Sequence, residues 1–279
     1  MIVVTGATGN VGGTVVRLLT EAGEKVTAVS RHIGEAPDGA VAVRADLADA
    51  GSLRPALDGA DAVFLCPAGD LLAGAGSPDG LVQVIEAAGV RRVVLLSSQA
   101  SRTRPRAVSH ARLREFEGAL MGSGLNWTIL RPGGFASNTL AHVPSVRADR
   151  TVAAPFGDVG LPLVDPADIA EVAAVALRDE RHDGRTYVLT GPAPVSPREQ
   201  AAAIGAAIGA ELHFTELTRA QAMARFTRVM PEPVADGTLD IMGAPTGAEL
   251  AISPDVEEVL GLAPRSFAAW AERNADAFR

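Results

Sequence analysis

The sequence predicts an α/β fold, a doubly wound parallel sheet with a smaller C-terminal lobe. Three observations predict it. Runs rich in Val, Ile and Leu at residues 2–5, 26–30, 41–44, 62–66, 93–97 and 127–130 alternate with helically spaced segments at 11–22, 52–57, 78–88 and 106–121. The runs are near-continuously apolar rather than alternating, as in parallel strands covered on both faces. Glycines stand where the helices should stop, at Gly23, Gly59, Gly89 and at Gly122 or Gly124. A β-α-β-α order of this kind builds a parallel sheet with helices on both sides.

Beyond residue 130 the pattern loosens. A loop-rich stretch runs to 163, and a helix is expected at 166–177 and a strand at 186–190. Further helices are expected near 197–208, 219–230, 255–260 and 265–278. Without strand–helix alternation, this tail reads as a lid or substrate lobe.

Composition narrows the function. The 279 residues suffice for one large domain or two modest ones. Acidic residues outnumber Lys and Arg by 33 to 25, and only 4 % of residues are aromatic, which argues against nucleic acid as a partner. A single cysteine, Cys66, excludes an intrachain disulfide and a multi-cysteine metal site. The first apolar run stops at Gly6 with no positive flank, too short for a signal-peptide core. No run approaches the ~18 apolar residues of a membrane span. A cytoplasmic protein without membrane association is therefore expected.

The chemistry starts at Gly6-Ala7-Thr8-Gly9-Asn10-Val11-Gly12, directly after the first strand and opening the first helix. In such a turn Gly6 permits the sharp bend, Gly9 lets backbone approach a diphosphate, and Gly12 permits close helix–strand packing. The helix N-terminus, from Asn10 and Val11 onward, offers N–H groups and partial positive charge to phosphate. A dinucleotide is the ligand this context predicts. At the end of the second strand stand Ser30, Arg31 and His32, with no acid until Glu35. A carboxylate there would hold a ribose 2′-hydroxyl, whereas the Arg31 guanidinium suits a 2′-phosphate, so NADPH is expected over NADH.

These residues, with Asp46-Leu47 after the third strand and Ser97-Ser98 after the fifth, resemble the atypical short-chain dehydrogenase/reductases. The segment Ser123-Gly124-Leu125-Asn126-Trp127-Thr128-Ile129-Leu130-Arg131-Pro132-Gly133 and Val164-Asp165-Pro166-Ala167-Asp168-Ile169-Ala170 are similar to the NmrA-like branch, which includes quinone reductases, dye reductases and redox-sensing regulators. The resemblance covers residues 1 to about 191. It implies a Rossmann unit at 1–133 and 152–190, and a smaller α/β substrate lobe at 134–151 and 191–279, with substrate between them. By position it implies that Asp46 and Leu47 contact adenine, that Pro67 and Ala68 line the ribose, and that Pro132 and Gly133 lie near the nicotinamide. Phe135 and Asn138 are implied for the substrate pocket; Phe226 and Met230, in the tail, are lid candidates, and for all four core packing is the competing role.

One departure changes the expected mechanism. The larger group carries Tyr-x-x-x-Lys on the helix after the fifth strand, where this chain has His110-Ala111-Arg112-Leu113-Arg114. The only tyrosine is Tyr187 and the only lysine Lys25, so that proton relay cannot form in its usual place. His110 is the residual candidate for a proton donor, and Arg114, four residues on, for holding ribose or negative charge. Ser97 and Ser98, at the carboxyl edge of the sheet, are candidates for orienting substrate or nicotinamide, with helix capping the competing role.

Other motifs read as structural. Asp165-Pro166-Ala167-Asp168 and Ser196-Pro197-Arg198-Glu199 have the form of helix starts. His142, His182 and His213 lack ligand spacing, so no metal site is expected. The sequence thus points to an NADPH-dependent oxidoreductase transferring hydride to a quinone-like or other conjugated small molecule. A non-catalytic NADP-binding sensor acting through a protein partner is the alternative, and an enzyme acting on a polyketide-like intermediate a third reading.

Overall fold

The computed structural model describes residues 1–36 and 39–279. Among the described residues nine strands run β1 (Ile2–Thr5), β2 (Val26–Ser30), β3 (Ala40–Arg44), β4 (Ala62–Leu65), β5 (Arg92–Leu96), β6 (Asn126–Pro132), β7 (Thr151–Pro155), β8 (Arg185–Leu189) and β9 (His213–Leu217). The helices of the first part are α1 (Asn10–Glu21), α2 (Arg54–Leu57), α3 (Pro78–Ala87), α4 (Ala100–Thr103), α5 (Ala111–Met121), α6 (Val143–Asp149) and α7 (Pro166–Arg178). Those of the tail are α8 (Pro197–Ile208), α9 (Arg219–Phe226), α10 (Glu232–Gly243), α11 (Gly247–Leu250), α12 (Asp255–Leu260), α13 (Phe267–Arg273) and α14 (Ala275–Phe278).

Seven strands form one parallel sheet in the order β3-β2-β1-β4-β5-β6-β8. The order reverses beside β1, which opens a crevice at the carboxyl ends of β1 and β4, the usual ligand position in such sheets. Alternate side chains go to opposite faces. Ile2 and Val4 pack with Val15, Leu19, Ile169 and Val172 of α1 and α7. Val3 packs with Leu57, Leu81, Ile85 and Phe116 of α2, α3 and α5. Both faces are covered, and that explains the unbroken apolar runs of β1, β4 and β5. The edge strands β3 and β8 are more exposed.

A third core joins Val146, Val152, Ile204, Phe267, Trp270 and Phe278. There β7 and β9 form a separate two-stranded parallel sheet. Two elements redraw the expected division of the chain. β7 leaves the dinucleotide-binding unit for the lobe, so 152–155 lie with the tail. Helix α12 returns to the large sheet, where Val256 joins the core under α7. No helix among the described residues is long and apolar enough to cross a membrane.

Candidate active site

The glycine turn is built as close packing demands. Gly6 adopts φ +65°, and a Cβ on it would meet Cys66 at 3.2 Å. A Cβ on Gly12 would lie 2.2 Å from the Gly6 carbonyl oxygen, so a side chain there would push α1 off the turn. Gly9 is the N-cap of α1 and supplies no side-chain cap, which leaves the first-turn N–H groups to a ligand. Thr5 fixes the strand end by donating its hydroxyl to the Phe64 carbonyl and accepting from Cys66 N–H. Burial pushes the Cys66 thiol up to about 11, so it stays protonated.

Around this turn lies a cleft of about 340 Å³. Gly6, Thr8, Gly9, Asn10, Val11 and Gly12 form one wall. Ser30, Arg31, Asp46, Leu47 and Ala68, among them residues the resemblance gives to the adenosine half, also line it, as do the apolar Leu96 and Phe135. The Thr8 and Ser30 hydroxyls are 2.9 Å apart. The Asp46 carboxylate accepts from the Ala48 N–H at 3.0 Å. Arg31 is about half exposed and donates from Nη1 to Asp70 at 3.0 Å. Asn10 donates its amide to the buried Ser137 hydroxyl at 2.8 Å, tying the turn to the segment that leads into the lobe.

Other expected residues stand outside the cleft wall. Pro67 is buried, and Ala68 beside it in sequence lines the cleft in its place. Pro132 and Gly133 continue the sheet, the Pro132 carbonyl accepting from Gln99 N–H and Gly133 N–H donating to Leu189. Asn138 is exposed in the 3-10 segment after Phe135, and Phe226 and Met230 are half-buried in the lobe.

The expected catalytic side chains require correction. Ser97 is buried and donates to Glu117 Oε1 at 2.5 Å, while Arg131 grips both Glu117 oxygens, so this hydroxyl belongs to an internal network. Ser98 accepts from the Ala100 N–H at 3.2 Å in the turn before α4, whose N-cap is Gln99, so its hydroxyl serves the local backbone. The helix expected at 106–121 begins only at Ala111, after a 3-10 turn over Val108–His110. His110 is therefore the N-cap residue of α5 and shares a 2.9 Å hydrogen bond with the Ser109 hydroxyl. Burial and the Arg114 charge hold its pKa below the ordinary histidine value, so it is neutral at pH 7. Arg114 donates to the backbone carbonyls of Ala107 and Arg104 instead of reaching the cleft.

Sequence reading missed the clamp beside it. Buried Glu249 accepts from Nε and Nη2 of Arg104 and from the Thr103 hydroxyl, and Gln99 donates to the Ala248 carbonyl. Burial alone would raise the Glu249 pKa, but Arg104, Thr103 and the Thr246 N–H outweigh it and hold the carboxyl down to about 2. The Thr246–Glu249 capping box was the local signal available; its long-range partner left none. The supposed helix starts are caps, with Asp165 accepting from Ala167 N–H and Ser196 closing a box with Glu199. Asp165 and Asp168 also bind Arg273 and Arg265 of the tail. Among the described residues no group of three His, Cys, Asp or Glu side chains could hold a metal ion.

Sheet order, glycine turn and cleft together define a Rossmann dinucleotide-binding protein. The description of an NAD(P)H-binding family matches residues 6–180, and the chain belongs to that family, within the NmrA-like atypical short-chain group. It is 37 % identical, over its whole length and 99 % of the relative, to a (4-alkanoyl-5-oxo-2,5-dihydrofuran-3-yl)methyl phosphate reductase of Streptomyces griseus. It is 32 % identical to an NAD(P)H azoreductase of Xenophilus azovorans, again over all of this chain and 99 % of the other. The structure of an NADPH-dependent quinone oxidoreductase of Escherichia coli complexed with NADPH superposes with a TM-score of 0.80 at 25 % identity, covering 98 % of this chain and 99 % of that one. The chain is thus an oxidoreductase that uses a nicotinamide cofactor.

Proposed function

We propose that this chain is an NADPH-dependent reductase that passes hydride to a quinone-like or otherwise conjugated small molecule, without a Tyr–Lys dyad. One observation carries the reading. The groups near the place of a proton relay are engaged elsewhere: Arg114 on two carbonyls, Ser97 on Glu117, and His110 on Ser109. Acceptors that are electrophilic on their own need no relay, because solvent can protonate the oxyanion they form.

When bound, NADPH supplies the hydride, and the protein supplies position and a dry wall. The Gly6–Gly12 turn and the first-turn amides hold the diphosphate. Arg31 takes the 2′-phosphate, and Asp46 and Leu47 take adenine. Leu96 and Phe135, which line the cleft, shield the reacting end from water. Substrate sits between the Rossmann unit and the lobe.

The relatives support this class of acceptor. The Streptomyces griseus relative's name describes a dihydrofuranone whose ring alkene is conjugated to two carbonyls, so an added hydride would leave an enolate. The other two names describe azo and quinone reduction. NADPH oxidation followed spectrophotometrically with quinones, azo dyes and acyl-furanones tests the proposal. Turnover with one of these classes is expected. Tight coenzyme binding with no turnover across the panel would replace it with a redox sensor acting through a protein partner.

A further inference from the structure

Arg31 already has an anionic partner. Its Nη1 donates to Asp70 Oδ2 at 3.0 Å, across the cleft from β2 to the loop that follows β4. The neighbouring Gly69 has φ +56°, and a Cβ there would lie 3.0 Å from Nη2 of the same guanidinium. That left-handed backbone favours glycine, and the turn it makes sets Asp70 beside Arg31. Both Arg31 and the preceding loop residue, Ala68, line the dinucleotide cleft.

We propose that Asp70 is a coenzyme-specificity residue, a built-in carboxylate that competes with the 2′-phosphate for Arg31. The inference rests on the 2′-phosphate assignment to Arg31. A phosphate arriving at the guanidinium must displace Asp70 or share the cation with it at a cost in repulsion. A coenzyme with a free 2′-hydroxyl carries no such charge and leaves the pair intact. Asp70 therefore weakens NADPH without touching NADH, and narrows the preference that Arg31 creates. Both partners are exposed, with side-chain exposures of 46 % for Arg31 and 75 % for Asp70, so the effect is modest and sensitive to salt.

Calorimetric titration of the full-length protein with NADPH and with NADH tests this in wild type, Asp70→Asn, Arg31→Ala and the double variant. Asp70→Asn is expected to tighten NADPH about two- to fivefold at low salt, the range an exposed ion pair supports, and to leave NADH unchanged. The gain should shrink at high salt and vanish on the Arg31→Ala background. If Asp70→Asn changes neither coenzyme while Arg31→Ala selectively weakens NADPH, the competitor role is overturned and the phosphate assignment stands. If Asp70→Asn instead weakens NADH, the carboxylate holds the 2′-hydroxyl and the proposal is wrong. If Arg31→Ala weakens both coenzymes equally, the phosphate assignment fails and takes the inference with it.

Discussion

Arg31 and His110 pose opposite questions about single side chains. Arg31 lines the cleft and offers a fork of donors that suits a phosphate. Arg31→Glu should weaken NADPH far more than NADH in equilibrium titrations, and equal losses would remove its role. His110 lies outside the cleft wall, neutral and bonded to Ser109. A positioned general acid contributes roughly 10²–10⁴ in rate. His110→Ala should keep kcat with quinones within a few-fold of wild type, and a hundredfold loss would make it the missing proton donor. Residue-level reading was sharpest where backbone sterics dictate identity. Gly6 and Gly12 could be assigned from the turn alone, because Gly6 takes a left-handed backbone and a Cβ on Gly12 would collide with the Gly6 carbonyl. It was weakest for polar side chains whose partners are distant in sequence. Ser97, a candidate for orienting substrate or for capping, is claimed by Glu117, twenty positions away, and nothing local announces that bond.

At the scale of elements, the short helix α11 is held by chemistry rather than by length. Four residues cannot hold a helix unaided, and its capping box plus the Glu249–Arg104 bridge fix it to α4. Arg104→Ala would strand a buried carboxylate, at a cost of about 3 kcal/mol or more. A lowered midpoint in denaturant titration at pH 7 checks this, and an unchanged midpoint would show the bridge to be dispensable. Because the folded-state pKa of Glu249 lies near 2, below its free value, its contribution is full at neutral pH. That contribution should fade as pH drops from about 4 toward 2, so the gap between wild type and Arg104→Gln should close there. Elements with strong periodicity were legible, and α8 and α12 fall where their patterns put them. The chain after residue 130 was less so. β7 and β9 are short, partly exposed strands whose pairing is set by the lobe's own core, and α10 contains Gly and Pro that mask its period.

Over the whole molecule, the tail is riveted to the sheet rather than merely appended. Arg273 and Arg265 reach Asp165 and Asp168 at the start of α7, and Asp255 accepts from Val188 N–H on β8. Asn10 and Ser137 add a tie at the glycine turn itself, so the cleft and the approach to it share one frame. The βα alternation foretold the sheet because each strand is buried on both faces, whereas these charged ties foretold nothing, since acids near a helix start suit a cap equally well. Every role proposed for these residues requires coenzyme to occupy the cleft through its phosphates. Isothermal calorimetry with the purified chain should show saturable heat with NADPH, tighter than with NADH. No heat with either coenzyme would contradict it.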